Sequence, residues 1–116
     1  METIVADCLF CRILKKEIPS RSAYEDEVVY AFHDINPQAP THILIIPKKH
    51  IEGVAQLRLE DEGLTGRLIF RAKAIAESFG LQSFRLVFNS GPEAGQSVFH
   101  LHLHLLGGRR MKWPPG

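Results

Sequence analysis

A chain of 116 residues has the length of one domain and leaves no room for a second with its own core. Hydrophobic residues make up 45% of it and charged residues 23%, which excludes a disordered, collagen-like or disulfide-stapled chain. With 14 Lys and Arg against 13 Asp and Glu the formal charge is +1, so no global electrostatic footprint calls for a nucleic acid or a membrane surface as partner, and any anion must be held locally.

Met1 to Ala6 has neither the basic start nor the apolar run of a secretory leader, and the longest aliphatic run, Ile43 to Ile46, is too short to cross a bilayer. A cytoplasmic location is therefore expected. The two cysteines stand together as Cys8-Leu-Phe-Cys11, a spacing that in a reducing compartment points to metal or redox chemistry rather than a structural disulfide. Two small core thiols remain the alternative.

In chain order, Asp7 is placed to cap a short helix carrying Leu9, Phe10, Ile13 and Leu14 on its apolar side, with Lys15 and Lys16 in the last turn and Pro19 beyond it. Cys8 and Cys11, three apart, then share one face. Ala23 to Tyr24 and Val28 to Phe32 form a hairpin around the acidic turn Glu25, Asp26 and Glu27. Asn36 to Pro40 is a loop stiffened by two prolines, and His42 to Ile46 is a buried strand closed by Pro47.

From Glu60 to Phe79 the positions Leu64, Leu68, Ala72, Ile75, Ala76 and Phe79 follow helical spacing, with acids in the first turn and Gly80 as the stop. Gly63 and Gly66 each weaken that helix by roughly 1 kcal/mol relative to Ala, so packing must hold its first half. Phe84 to Phe88 and Val98 to Leu106 have strand composition, with the glycine-bearing loop Asn89 to Ser97 between them. Strands that do not alternate with helices of crossover length predict an α+β domain spanning residues 1–116, a five-stranded antiparallel sheet with two helices on one face.

Three of the six histidines lie in His100-Leu-His-Leu-His104. In a strand they line one face, roughly 6 to 7 Å apart, with Leu101, Leu103 and Leu105 on the other. The leucines suit a core. The histidine face has no structural necessity, and imidazole suits metal ligation or nucleophilic and acid–base chemistry.

The run His100 to Leu106, a His-x-His-x-His followed by two apolar residues, resembles the motif of the histidine-triad superfamily of nucleotide hydrolases and transferases. Phe32 to His42, Ile46-Pro-Lys-Lys-His50, Gly95 to His100 and the tail Leu106 to Gly116 are similar to its histidine-triad nucleotide-binding (Hint) branch, so the likeness runs over nearly the whole chain. The resemblance implies a purine nucleoside 5′-phosphoramidate hydrolase acting through a nucleotidylated histidine, with no organic cofactor. Within it His102 matches the nucleophile, His104 the group beside the phosphate and leaving group, and His42 a fourth active-site histidine. Asn89, Gly95 and Ser97 match phosphate contacts, Asp34 the ribose-binding acid, and Phe10, Phe32 and Ile35 the purine slot. A dinucleoside polyphosphate hydrolase of the same superfamily and a non-catalytic nucleotide-binding module are the alternatives.

Many proteins of the branch lack cysteines where Cys8 and Cys11 stand, whereas some bacterial relatives carry them and bind zinc. His50 and His100 match the remaining ligands of those relatives, which implies a closed Cys₂His₂ structural zinc site. The resemblance also implies a homodimer. Because Gly107, Gly108, Pro114 and Pro115 continue neither strand nor helix, Trp113 is expected in a loop reaching towards the partner's substrate site.

Overall fold

The computed structural model describes residues 5–116, and Met1 to Ile4, where part of the leader reading falls, lie outside the described residues. Five strands, β1 (Ser22–Glu25), β2 (Val29–His33), β3 (Thr41–Pro47), β4 (Phe84–Val87) and β5 (Leu103–Gly107), form one sheet in the order β1-β2-β3-β5-β4. Every pairing is antiparallel. Two α-helices accompany the sheet, α1 (Leu9–Leu14) and α2 (Glu62–Ser78). No helix among the described residues is long and apolar enough to cross a membrane.

The helices lie on opposite faces, not on one. Alternation within the central strands divides them. Val29, Ala31, Ile43, Ile45, Leu103 and Leu105 pack against Leu68, Ala72, Ile75 and Ala76 of α2. Tyr30, Phe32, Leu44 and Ile46 pack against Phe10, Cys11 and Ile13 of α1. The unbroken apolar runs in β2 and β3 are the signature of strands covered on both sides.

Three expected boundaries move for identifiable reasons. The N-cap of α1 is Cys8 rather than Asp7, its Sγ accepting the Cys11 N–H at 3.3 Å, and Leu9 turns outward, 43% exposed. Helix α2 is preceded by a 3₁₀ turn at Leu59–Asp61 and ends where Gly80, at φ +72°, lets the Gly80 and Leu81 N–H groups return to the Glu77 and Ala76 carbonyls. The strand expected from Val98 begins only at Leu103, because its first half bonds elsewhere: the Leu101 N–H donates to the Ile51 carbonyl at 2.6 Å and His100 bonds the Pro47 carbonyl through its ring. Side-chain alternation survives in that stretch, with Leu101 in the α2-side core.

Helix α2 is tied to the β1–β2 turn by Asp26. One carboxylate oxygen accepts the Val28 and Val29 N–H groups, and the other accepts from Arg71 Nε at 2.7 Å and Tyr24 Oη at 2.8 Å. Partial burial alone would raise this carboxyl, but Arg71 and the surrounding donors outweigh it and hold it well below the usual carboxylate range. Asp26→Ala is therefore expected to cost about 1–2 kcal/mol at neutral pH. Since the folded group titrates below its unfolded value of about 4, the gap between wild type and variant should hold above that value and narrow as pH falls from it towards the lower folded one, measurable by thermal melts against pH.

Candidate functional site

On the α1 side of the sheet a cavity of about 350 Å³ is lined by Phe10, Phe32, Asp34, Ile35, Ser97, His102 and His104 among others. Phe10 of α1 meets Phe32 edge-on with ring centroids 5.4 Å apart, and meets His102 edge-on at 5.2 Å. The turn after α1 adds Ile18, Pro19 and Ser20 to the lining. Ile35 stands at the lip, 99% exposed. The structure thus gathers most of the sequence-predicted site.

Other predicted residues stand outside the lining. His42 is buried behind His104. Asn89 and Gly95 lie in the adjoining loop, where a Cβ built on Gly95 would sit 3.9 Å from Asn89 Nδ2. Trp113 is 81% exposed and touches neither cavity nor core of its own chain. The tail is nonetheless anchored, through Arg85 Nη2 to the Lys112 carbonyl and Arg109 Nε to the Gln38 carbonyl.

Hydrogen bonds assign the protons. A carbonyl can only accept, so His102 Nδ1 donates to the His100 carbonyl at 2.6 Å, and burial keeps the ring below the ordinary histidine range. The neutral ring therefore presents a bare Nε2. On His42, Nδ1 accepts the Gln38 N–H at 3.0 Å, so the proton sits on Nε2, which donates to His104 Nδ1 at 2.9 Å. His104 then carries its own proton on Nε2, the buried side-chain nitrogen that finds no partner among the described residues. Burial, followed by the neighbouring His102 and His42, pushes His104 down to about 4. The His102 and His104 rings stand 4.9 Å apart between centroids, edge to face.

Asp34, His42 and His104 also come close enough together to suggest a metal site, with Asp34 Oδ2 3.4 Å from His42 Nε2. The donors argue against one. A cation on His42 Nε2 would require the proton on Nδ1, facing the Gln38 N–H. These residues form a hydrogen-bonded relay, and Asp34 completes its own turn by accepting the Asn36 N–H.

A second cluster behaves differently. Cys8 and Cys11 from α1, His50 beyond β3 and His100 bring one ligand atom each within 4.8 Å of one another. His100 Nδ1 lies 3.4 Å from Cys8 Sγ, 3.6 Å from Cys11 Sγ and 3.2 Å from His50 Nδ1, and Cys11 Sγ lies 3.4 Å from His50 Nδ1. Tetrahedral N and S coordination imposes separations of roughly 3.3–3.8 Å. His100 Nε2 donates to the Pro47 carbonyl at 2.8 Å, which leaves Nδ1 bare and aimed at the thiols. Burial pushes the Cys11 thiol up, so a cation in this pocket is what would hold it as a thiolate. The four residues fit a metal ion.

Gln96 was not singled out by the sequence and holds the loop together. Its Oε1 accepts the Gly91 N–H at 2.8 Å, while Nε2 donates to the Glu52 carbonyl at 2.7 Å and the Val98 carbonyl at 3.1 Å. Gly91 and Gly95, at φ +94° and +97°, supply the bends around it. Gln38, which sets the His42 proton, was also missed. Neither carries a local signal, because their partners are recognisable only once the chain is folded.

A family model described as the HIT domain matches residues 15–111, a span that leaves Cys8, Phe10 and Cys11 outside it. The chain is 54% identical over 111 residues to a 14 kDa zinc-binding protein of Zea mays, covering 93% of this chain and 87% of the relative. It is 48% identical over 111 residues to adenylylsulfatase HINT1 of Arabidopsis thaliana, covering 93% and 76%. A HIT family hydrolase from Legionella pneumophila Philadelphia 1 superposes with a TM-score of 0.93 at 52% identity, covering 95% of this chain and all, 100%, of the other. The chain belongs to the HIT domain family.

Proposed function

We propose that this protein hydrolyses the P–N bond of purine nucleoside 5′-phosphoramidates through a nucleotidyl intermediate on His102. One observation carries the reading: His102 donates from Nδ1 to the His100 carbonyl at 2.6 Å and so presents a bare Nε2 beside the proton-bearing Nε2 of His104. A nucleophile beside a histidine pair whose Nε2–H faces the leaving group, and which can carry an extra proton to it, is what displacement of a poor amine leaving group requires.

In the proposed reaction His102 Nε2 attacks the α-phosphorus, and the P–N bond breaks with its electron pair on the amine nitrogen. That nitrogen takes the extra proton that the His42–His104 pair carries when protonated, a charge the nearby Asp34 carboxylate favours, and leaves neutral while the pair returns to its neutral form. Water then attacks phosphorus, His102 leaves, and the water's proton returns to the pair. Ser97 and the loop from Asn89 to Gly95 supply donors to the phosphate oxygens. Asp34 takes the ribose hydroxyls, and Phe10, Phe32 and Ile35 hold the base.

Cys8, Cys11, His50 and His100 would hold one zinc ion per chain. Four protein ligands leave no open position, so the metal supplies folding energy and the residues around His102 supply the chemistry. The thiols suit the reducing cytoplasm. A homodimer completes the reading, supported by the edge strand β4 and by Phe70, 69% exposed on the outer side of α2. Trp113 would then reach the partner's site. Light scattering at micromolar concentration is expected to give the mass of two 13.1 kDa chains. A single-chain mass would remove the dimer, and unchanged substrate preference on deleting Arg109 to Gly116 would remove the tail's role.

The test is turnover of adenosine and guanosine 5′-phosphoramidates by the full chain, with release of the amine and the nucleoside monophosphate. Adenylyl sulfate is a useful second substrate, since its leaving group needs no proton and the Arabidopsis relative is named for that activity. Hydrolysis of dinucleoside polyphosphates alone would contradict the reading.

A further inference from the structure

Phe10 belongs to both clusters. In sequence it stands between the two thiols, in Cys8-Leu-Phe-Cys11, and in space it lines the cavity beside His102. Its ring meets Phe32 and His102 edge-on, and it also meets the ring of His100, a member of the Cys₂His₂ set, at 6.1 Å between centroids. A second cavity, of about 420 Å³, is lined by Cys8 and His50 and shares Leu9, Ser97 and Val98 with the first. The Cys₂His₂ cluster and the His102 cavity thus share a wall.

The first turn of α1, which carries Phe10, has weak backbone ties of its own. Ile13 packs the second half of the helix onto the sheet, but six residues make less than two turns, too few to hold a helical shape by hydrogen bonding alone. No acidic residue stands in the first turn, and its cap is the Cys8 Sγ, a weak acceptor 3.3 Å from the Cys11 N–H. An ion held by both thiols would fix this turn on either side of Phe10. Without an ion, only weak S–H···N contacts, 3.4 Å long, join Cys8 to His100 and Cys11 to His50.

We infer that Cys8 and Cys11, by holding the metal, position Phe10 for the base and so couple metal binding to nucleotide binding, an inference that rests on the zinc and nucleotide readings above. The ring that the two thiols place is the one assigned to the purine slot, so a base packed against Phe10 favours the same arrangement of the first turn as the metal does. Each ligand then offsets part of the ordering cost of the other. Linkage makes the coupling factor equal in both directions.

Equilibrium binding of AMP to the full-length protein, zinc-loaded and metal-free, tests this without turnover. Below the onset of melting of the metal-free form, the zinc-loaded protein is expected to bind AMP ~5-fold or more tightly. Saturating AMP should raise zinc affinity, read by competition with a chromophoric chelator, by the same factor. A metal that serves the fold alone would leave the AMP affinity of folded, metal-free protein unchanged. Cobalt(II)-loaded protein gives a second readout with the site always occupied: AMP should shift its visible ligand-field bands. Phe10→Leu keeps an apolar side chain but removes the ring, so AMP affinity should then differ between loaded and metal-free forms by no more than about two-fold, with melting curves confirming that the variant is folded. Equal AMP affinity in the two folded forms of wild type, cobalt bands unmoved by saturating AMP, or coupling undiminished in Phe10→Leu would each overturn this role of the thiols and Phe10 while leaving the zinc and nucleotide readings standing. Failure of AMP to bind the zinc-loaded protein would overturn the nucleotide reading, and failure of zinc to bind the zinc reading, and this inference with either.

Discussion

Replacing His102 with alanine is expected to lower kcat for a nucleoside phosphoramidate by about 10⁴-fold or more while changing nucleotide affinity little. The size follows from the loss of a covalent route, because water would then have to attack phosphorus directly with no imidazole to share the work in two steps. The small effect on affinity follows from geometry. His102 lines the cavity at its histidine side, against the edge of Phe10, while the residues assigned to base and ribose, Phe10, Phe32 and Asp34, belong to other parts of the wall. His104→Ala should cost less, since His102 retains its orienting bond to the His100 carbonyl and an amine can draw a proton more slowly from water. Loss of binding equal to the loss of rate would show His102 to be a binding group.

The second large effect is expected on stability. A Cys8→Ser, Cys11→Ser double variant, or wild type stripped by a strong chelator, should melt ~10 °C or more below the metal-loaded protein, the scale of a loss of roughly 3 kcal/mol. The cluster ties three separate parts of the chain at one point: α1, the segment after β3, and the approach to β5. Metal analysis of protein prepared without chelator should give about one zinc per chain. An unchanged melting temperature in the double variant would mark Cys8 and Cys11 as ordinary core thiols.

The periodicities were legible where they depend on one segment at a time. The leucines and histidines of 100–105 divide between the two faces as alternation requires, and α2 buries Leu68, Ala72, Ile75 and Ala76 as its spacing predicts. The expected helical arrangement on one face failed because a six-residue α1 has too few turns for its apolar positions to name a partner. The unbroken run Val29 to Phe32, buried throughout, held the missing information. Phe79, the last of the apolar positions at helical spacing, is 41% exposed and lies against His33.

Of the candidate site, the residue types could be read from the motif, but the protons could not. The His42 tautomer is set by the Gln38 N–H, the His100 tautomer by the Pro47 carbonyl, and the loop by Gln96 reaching Glu52 across 44 residues. Such bonds depend on tertiary placement, and no local pattern announces them.

The covalent route through His102 is tested most directly by the stereochemistry at phosphorus. A phosphoramidate made chiral by sulfur substitution and oxygen isotopes undergoes two in-line displacements if His102 carries the nucleotidyl group, and overall retention of configuration is the predicted result. Inversion would mean a single displacement by water, and would contradict the assignment of His102 as nucleophile.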